Sequence, residues 1–157
     1  MNIRNVKASD YKMIIPVINE WWNGRQMADM LPKLFFEYFQ NTSYIVEENE
    51  KVIGFLIGFL SQTNNKEAYI HFVGLHPQYR EHGIGRKLYE TFFDHAKRNG
   101  VETVRCVTSP VNKVSIAFHT KIGFAIEKNG EKEMNGVAVH TDYDGPNQDR
   151  VLFVKTL

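Results

Sequence analysis

The stretch Leu75-His76-Pro77-Gln78-Tyr79-Arg80-Glu81-His82-Gly83-Ile84-Gly85-Arg86-Lys87-Leu88-Tyr89 joins the end of a strand to an Arg-x-x-Gly-x-Gly turn and then to an amphipathic helix. Such a junction is an anion cradle. Its two glycines let the main chain approach a ligand closely, and the unpaired N–H groups of a helix's first turn point at whatever sits there. The helix dipole adds roughly half a positive charge at that end, so a pyrophosphate can be held by backbone alone. The familiar nucleotide signatures are absent. A P-loop needs Gly-x-x-x-x-Gly-Lys-Ser/Thr, and here Gly83 and Gly85 lead into Arg86, Lys87 and Leu88 with no magnesium-binding hydroxyl at the required spacing. A dinucleotide fingerprint fails too, because Leu88 stands where the third glycine belongs.

On either side of this turn the chain alternates helical and extended signals. Asn2 to Lys7 reads as a strand, with Ser9 as the N-cap of a helix through Tyr11, Ile14, Ile15 and Ile18 that Pro16 should kink or split. Leu31, Leu34, Phe35, Tyr38 and Phe39 recur at helical spacing, predicting a second helix. Ser43 to Glu47 and Lys51 to Leu60 are apolar and β-branched or aromatic, and the short Glu-Asn-Glu link between them predicts an antiparallel hairpin. Glu67 to His76 adds a third strand, which runs straight into the glycine turn. In the helix after the turn, Ile84, Leu88, Phe92 and Ala96 share one face, and Asn99-Gly100 ends it. Val101 to Thr108 predicts a strand, Asn112 to Lys121 a short helix stopped by Gly123, and Phe124 to Lys128 and Val151 to Lys155 the closing strands, with a turn-rich loop at residues 142–147. The pattern predicts one mixed α/β domain over residues 1–157, with no repeat or linker.

Composition narrows the setting. The chain has 157 residues, 43% of them hydrophobic, which suits one domain with one sizeable core. A formal charge of +1 gives no electrostatic reason to expect nucleic acid as a partner. No apolar segment follows Met1 and no run is long enough for a membrane span, so a cytoplasmic location is expected. The single cysteine, Cys106, lies within a strand and reads as a buried core thiol. The six histidines lack ligand spacing, no His-Glu-x-x-His occurs, and no metal site is expected.

A second segment, Asn112-x-x-Ser115-x-x-Phe118-His119-x-Lys121-x-Gly123-Phe124, lies C-terminal to the glycine turn. Together the two segments, in this order within the element pattern, resemble the GNAT acetyltransferases from Ile3 to the last strand. The resemblance implies a mainly antiparallel sheet with helices on both faces, splayed between the Glu67–His76 and Val101–Thr108 strands to admit the pantetheine arm of acetyl-CoA. It implies that main-chain groups of Val73 and Leu75 bind that arm and that one N–H there polarises the thioester carbonyl. Amides of Glu81, His82, Gly83, Ile84, Gly85 and Arg86 would hold the pyrophosphate, with the side chains of Arg80 and Arg86 near the phosphates. Asn112 would reach the arm from the other side while also serving as an N-cap.

The chemistry needs a neutral amine, and histidine is the side chain tuned to take its proton near neutrality. His71, with Tyr69 and Val73 on the same face by strand alternation, is the candidate base; a hydrogen-bonded structural histidine is the alternative. Where many members of the family carry a tyrosine that protonates the thiolate, this chain has His119. That departure leaves the proton donor open among His119, a substitute such as Tyr143, and none, the last being a non-catalytic CoA-binding module. Trp21, Trp22 and Arg25 form an aromatic and cationic cluster suited to an acceptor with an apolar body and a carboxylate, unless the tryptophans simply fill the core. The reading is acetyl transfer to the primary amine of a small molecule by direct attack in a ternary complex, with protein N-termini or lysines as the alternative acceptors. A homodimer is compatible with it.

Overall fold

The computed structural model describes residues 1–157. Nine strands and four α-helices run in the order β1 (Asn2–Asn5), α1 (Asp10–Trp21), α2 (Leu34–Tyr38), β2 (Tyr44–Glu48), β3 (Lys51–Leu60), β4 (Glu67–Leu75), α3 (Ile84–Arg98), β5 (Thr103–Thr108), α4 (Lys113–Lys121), β6 (Ala125–Ile126), β7 (Lys132–Met134), β8 (Val137–Val139) and β9 (Val151–Thr156). Seven strands form one sheet in the order β1-β2-β3-β4-β5-β9-β6, and only the β4–β5 pair is parallel. The mixed, mainly antiparallel architecture expected from the element pattern is the one observed.

Helices cover both faces of the sheet, and the core divides accordingly. Ile14, Ile18 and Trp21 of α1 pack with Phe36, Phe55 and Phe72 on one side. Ile84, Leu88, Tyr89, Phe92 and Ala96 of α3 pack with Leu56, Val104 and Phe153 on the other. The sheet tolerates this close cover partly through glycine. At Gly58 a β-carbon would stand 2.5 Å from the Phe92 ring and 3.0 Å from the Tyr69 carbonyl oxygen.

Several local expectations change. Pro16 lies inside α1 without splitting it. Ser9 makes no capping bond; the Asp10 carboxylate instead accepts from the Lys7 amide at 2.7 Å and from two guanidinium nitrogens of Arg4. The second helix is much shorter than its apolar spacing suggests, because 3-10 turns at Ala28–Met30 and Gln40–Thr42 flank α2. The β7–β8 hairpin was not anticipated, although Asn135-Gly136 is a strong two-residue turn signal and both residues take positive φ.

Two irregularities in β4 shape the surface beside it. Pairing with β5 spans Glu67↔Thr103, Ala68↔Val104 and Tyr69↔Arg105, and beyond these the strands part. Across the other edge, Ile57 pairs Phe72 and Gly58 pairs Ile70, so His71 is the extra residue of a β-bulge. A bulge reverses the inside-outside alternation beyond it. Val73 therefore packs toward the α3 side, and the expectation that it shares a face with His71 by simple alternation is corrected.

Candidate active site

Where β4 and β5 part, a cavity of about 150 Å³ opens between them. Its wall takes residues from both sides of the sheet, Trp22, Arg25 and Met30 from the α1 side and Tyr89, Asn112, Ser115 and His119 from α3 and α4, with His71, Val73 and Cys106 at the strands themselves. An intact sheet would keep these two groups apart. The parting also leaves the β4 backbone from Ile70 to Leu75 without a strand partner on that side, which is the edge that an extended ligand can extend by main-chain hydrogen bonds.

The glycine turn presents main-chain donors at the start of α3. Gly83 takes φ 77° and ψ 4°, a left-handed conformation that its lack of a β-carbon makes cheap, and Glu81 also has positive φ, at 67°. The earliest α3 bond runs from the Lys87 amide to the Gly83 carbonyl, so the amides from Glu81 to Arg86 have no main-chain acceptor and form a cluster of free donors. This fits a pyrophosphate. The side chains are less engaged than expected. Arg80 donates to the Trp21 carbonyl, tying the turn to the end of α1. Arg86 lies 3.9 Å from Glu90, and the His82 ring is 6.4 Å from that of Tyr79. Ile84 is buried and contributes packing as well as its amide, while Leu75 lies over the α3 side.

His71 is held on two sides. Its ring stacks on Phe35 with centroids 4.3 Å apart and planes 9° from parallel, and its Nε2 lies 2.6 Å from the Met30 carbonyl oxygen. A carbonyl only accepts, so Nε2 carries the proton and the Nδ1 lone pair is left free. Burial lowers the pKa of His71 below its usual value, opposed by the bond to Met30 and by Asp144. At neutral pH the ring is uncharged, as a proton acceptor must be.

His119 is also a cavity residue, yet both of its nitrogens are occupied. Nδ1 stands 2.7 Å from the Ser115 carbonyl oxygen and 3.2 Å from the Ser115 hydroxyl, and Nε2 stands 2.7 Å from the Tyr89 hydroxyl. The ring stacks on Phe153, with centroids 4.7 Å apart, and burial lowers its pKa. Neutral His119 thus donates from Nδ1 to Ser115 and accepts the Tyr89 O–H at Nε2. Tyr89 was missed as a cavity residue, although a tyrosine beside the apolar face of α3 needs a hydroxyl partner when buried. Asn112 accepts from the Ser115 amide at 3.0 Å, a helix cap, and also lines the cavity. Both roles foreseen for it are compatible with this placement.

The aromatic cluster divides. Trp21 is 5% exposed and stacks with Phe55, so it belongs to the core and not to an acceptor pocket. Trp22 lines the cavity and packs edge-on to Phe72 at 5.1 Å. Arg25 lines it too and makes no ion pair within the chain. Tyr143 is 48% exposed on the 142–147 loop and is not among the residues of the cavity wall. Arg150 does reach the wall, but its guanidinium is engaged by Asp144 at 2.7 Å and by Gln148. Burial pushes the Cys106 thiol pKa up, the reverse of what a nucleophile needs. No cluster of three or more His, Cys, Asp or Glu side chains suited to a metal ion occurs, and no helix is long and apolar enough to cross a membrane.

Comparison with known proteins matches this architecture to one family. The chain is 27% identical over 86 residues to L-2,4-diaminobutyric acid acetyltransferase of Halalkalibacterium halodurans, a match covering 55% of this chain and 46% of that protein. It is 28% identical over 138 residues to L-methionine sulfoximine/L-methionine sulfone acetyltransferase of Salmonella typhimurium, covering 80% of this chain and 81% of the relative. A further relative is [ribosomal protein bS18]-alanine N-acetyltransferase of Escherichia coli, 28% identical over 82 residues, or 52% of this chain and 53% of the enzyme. The chain thus spans about half the length of some curated relatives and most of another. In fold it is similar to YncA from Salmonella typhimurium, solved with its cofactor acetyl-CoA, with a TM-score of 0.71 over 99% of this chain and 93% of the other at 22% identity. The family profile described as Acetyltransferase (GNAT) family matches residues 11–124, from within α1 through α3 and α4 to the residue before β6, and on that match the chain belongs to the GNAT acetyltransferase family.

Proposed function

We propose that this chain transfers an acetyl group from acetyl-CoA to the primary amine of a small, carboxylate-bearing molecule of the amino-acid type. The observation that carries this is the unpaired Arg25 guanidinium beside Trp22 on the same cavity wall as His71. A guanidinium is shaped to grip a carboxylate through two parallel hydrogen bonds, and an indole face suits the acceptor's apolar body. Relatives named for diaminobutyric acid and for methionine sulfoximine favour the same class.

Acetyl-CoA supplies a thioester carbonyl that an uncharged amine can attack. The α3 amides bind the diphosphate, and the open β4 edge holds the arm in extended form. His71 takes the ammonium proton at Nδ1, while Met30 holds Nε2–H and favours the charged ring as it forms. With Cys106 buried and its thiol neutral, the amine attacks directly, without an acyl-enzyme.

The test is CoA release, corrected for hydrolysis, with 2,4-diaminobutyrate, methionine sulfone, their carboxamide analogues and an alanine-initiated peptide. Faster turnover of the free amino acids than of carboxamides and peptide is expected. Equal rates for acids and carboxamides, or a preference for the peptide, would overturn the small-acid reading in favour of a protein acceptor. Binding of CoA with no transfer to any acceptor would favour a binding module.

A further inference from the structure

Trp22, Arg25, Met27 and Met30 of the cavity wall all come from the stretch 22–30, which leaves the end of α1 and closes in the 3-10 turn Ala28–Met30. The Met30 carbonyl at its end is the one that holds His71. This stretch has little regular structure of its own. Asn23 and Gly24 take positive φ, 55° and 83°, and Arg25 is exposed. What holds it is Asn19, in the last turns of α1. The Asn19 main-chain oxygen accepts from the Trp22 amide at 3.1 Å and from the Gly24 amide at 2.8 Å. Its side-chain Oδ1 accepts from the Met27 amide at 2.8 Å and from the Ala28 amide at 3.0 Å, and its Nδ2 donates to the Gln26 side-chain oxygen at 2.8 Å. One residue thus bonds both ends of the loop. The Met27 and Ala28 amides open the 3-10 turn, where no local side chain caps them and no main-chain oxygen accepts from them, so Asn19 is their cap from across the loop. Arg80 ties the same helix end to the glycine turn through the Trp21 carbonyl, and the fully buried Leu31 anchors the far end of the stretch.

We propose that Asn19 is a positioning residue that sets the carboxylate-gripping Arg25 and the proton acceptor His71 together, through the one loop that carries both Arg25 and the Met30 carbonyl. The inference rests on the acetyl-transfer reading given above. Arg25 can hold a carboxylate through two parallel bonds at full strength only where its main chain is already ordered; on a free loop, part of the binding free energy is lost to ordering that loop. His71 presents its bare Nδ1 to an amine only while Met30 holds Nε2–H. With that carbonyl displaced, the ring can turn on its stack with Phe35 or carry its proton on the other nitrogen. Asn19 is not itself a wall residue, so it reaches the acceptor only through the loop that it clamps.

Asn19→Leu keeps the side chain's size and removes its polar atoms, whereas Asn19→Asp keeps an oxygen for both amides. In Asn19→Leu the preference in kcat/KM for methionine sulfone over its carboxamide should fall by roughly tenfold, the range for a hydrogen bond to a charged group. Single-turnover transfer to the carboxamide, which does not call on Arg25, should slow by roughly ten- to a hundredfold through His71. Acetyl-CoA affinity, measured by calorimetry, should not change. Asn19→Asp should restore both the preference and the rate. Adding Arg25→Ala to Asn19→Leu should lower the preference little further, because both act through the same contact. A readout that needs no acceptor is the His71 Nε2–H in 15N–1H NMR spectra, expected to exchange slowly in wild type and in Asn19→Asp and to be lost in Asn19→Leu. A merely structural Asn19 predicts a lower Tm in Asn19→Leu with the preference, the single-turnover rate and the ring proton of wild type, and that outcome overturns the proposal. So does failure of Asn19→Asp to restore them. Should Asn19→Leu fail to fold, Asn19→Gln carries the same groups one carbon farther and must displace the loop; an unchanged preference and ring proton in that variant refute the proposal. A wild-type protein with no preference for the acid overturns the acceptor reading, while the ring proton in the variants still decides the role of Asn19.

Discussion

Replacing His71 by glutamine isolates the proton-acceptor role from the structural one. The glutamine amide can still donate to the Met30 carbonyl, which His71 Nε2 meets at 2.6 Å, but no basic nitrogen remains. An alkyl ammonium with a pKa of about 10 is about 0.1% neutral at pH 7 and roughly 10% neutral at pH 9. Wild-type turnover should therefore plateau once His71 is unprotonated, which burial places below the ordinary histidine range. The variant must instead draw on the small neutral fraction already in solution. At pH 7 its kcat/KM for an acceptor with such an amine should fall by about 10²-fold or more, the usual worth of a positioned base. The deficit should then shrink by close to tenfold per pH unit, leaving the variant within a few-fold of wild type near pH 9. The assay is steady-state CoA release over pH 6 to 9.5, with circular dichroism to confirm an unchanged fold. A deficit that stays constant across that range would refute the base assignment and leave His71 a packing residue against Phe35.

Arg25→Ala should raise KM for carboxylate-bearing acceptors by roughly tenfold or more and leave carboxamide analogues unaffected, as comparison of the two acceptor series will show. In Cys106→Ala, turnover should persist while stability falls by about 1–2 kcal/mol from the small void left in the core, read by urea denaturation; loss of turnover in a folded variant would refute direct attack. Gly58→Ala drives a methyl to 2.5 Å from the fully buried Phe92 ring, and should cost about 1–3 kcal/mol with a matching drop in Tm. His71 and His119 both have folded pKa values depressed mainly by burial, so the unfolded chain binds more protons below about pH 6.5. Stability should be fully present above that pH and be lost as pH falls through the folded values; a Tm unchanged between pH 7.5 and pH 5 would contradict this.

Much of the fold was legible because its signals are local. The Gly83 and Gly85 turn, the apolar face of α3, the β2–β3 hairpin and the Asn112 cap each depend on residues close in sequence, and each stands where the spacing predicts. The β7–β8 hairpin was legible as well, in Asn135-Gly136. The length of α2 was not, because tertiary contacts and flanking 3-10 turns overrode the spacing of Leu31 to Phe39. Nor was the division between Trp21 and Trp22. Adjacent indoles at a helix end look alike in sequence, and only the packing of α1 against the sheet decides which meets Phe55 in the core and which faces the cavity.

The sequence by itself determined the glycine turn and its run of unpaired amides, since such a turn is local and needs only glycines at the right places to form. Which side chains could exchange protons was decided by the tertiary structure alone. A bulge that pairing registers reveal sets His71 against Met30, from the α1–α2 connection, and against Phe35 of α2. The meeting of α3 with α4 gives His119 a tyrosine partner 30 residues away. Proton transfer requires contact within a hydrogen bond, and contacts between residues far apart in the chain exist only once the chain has folded.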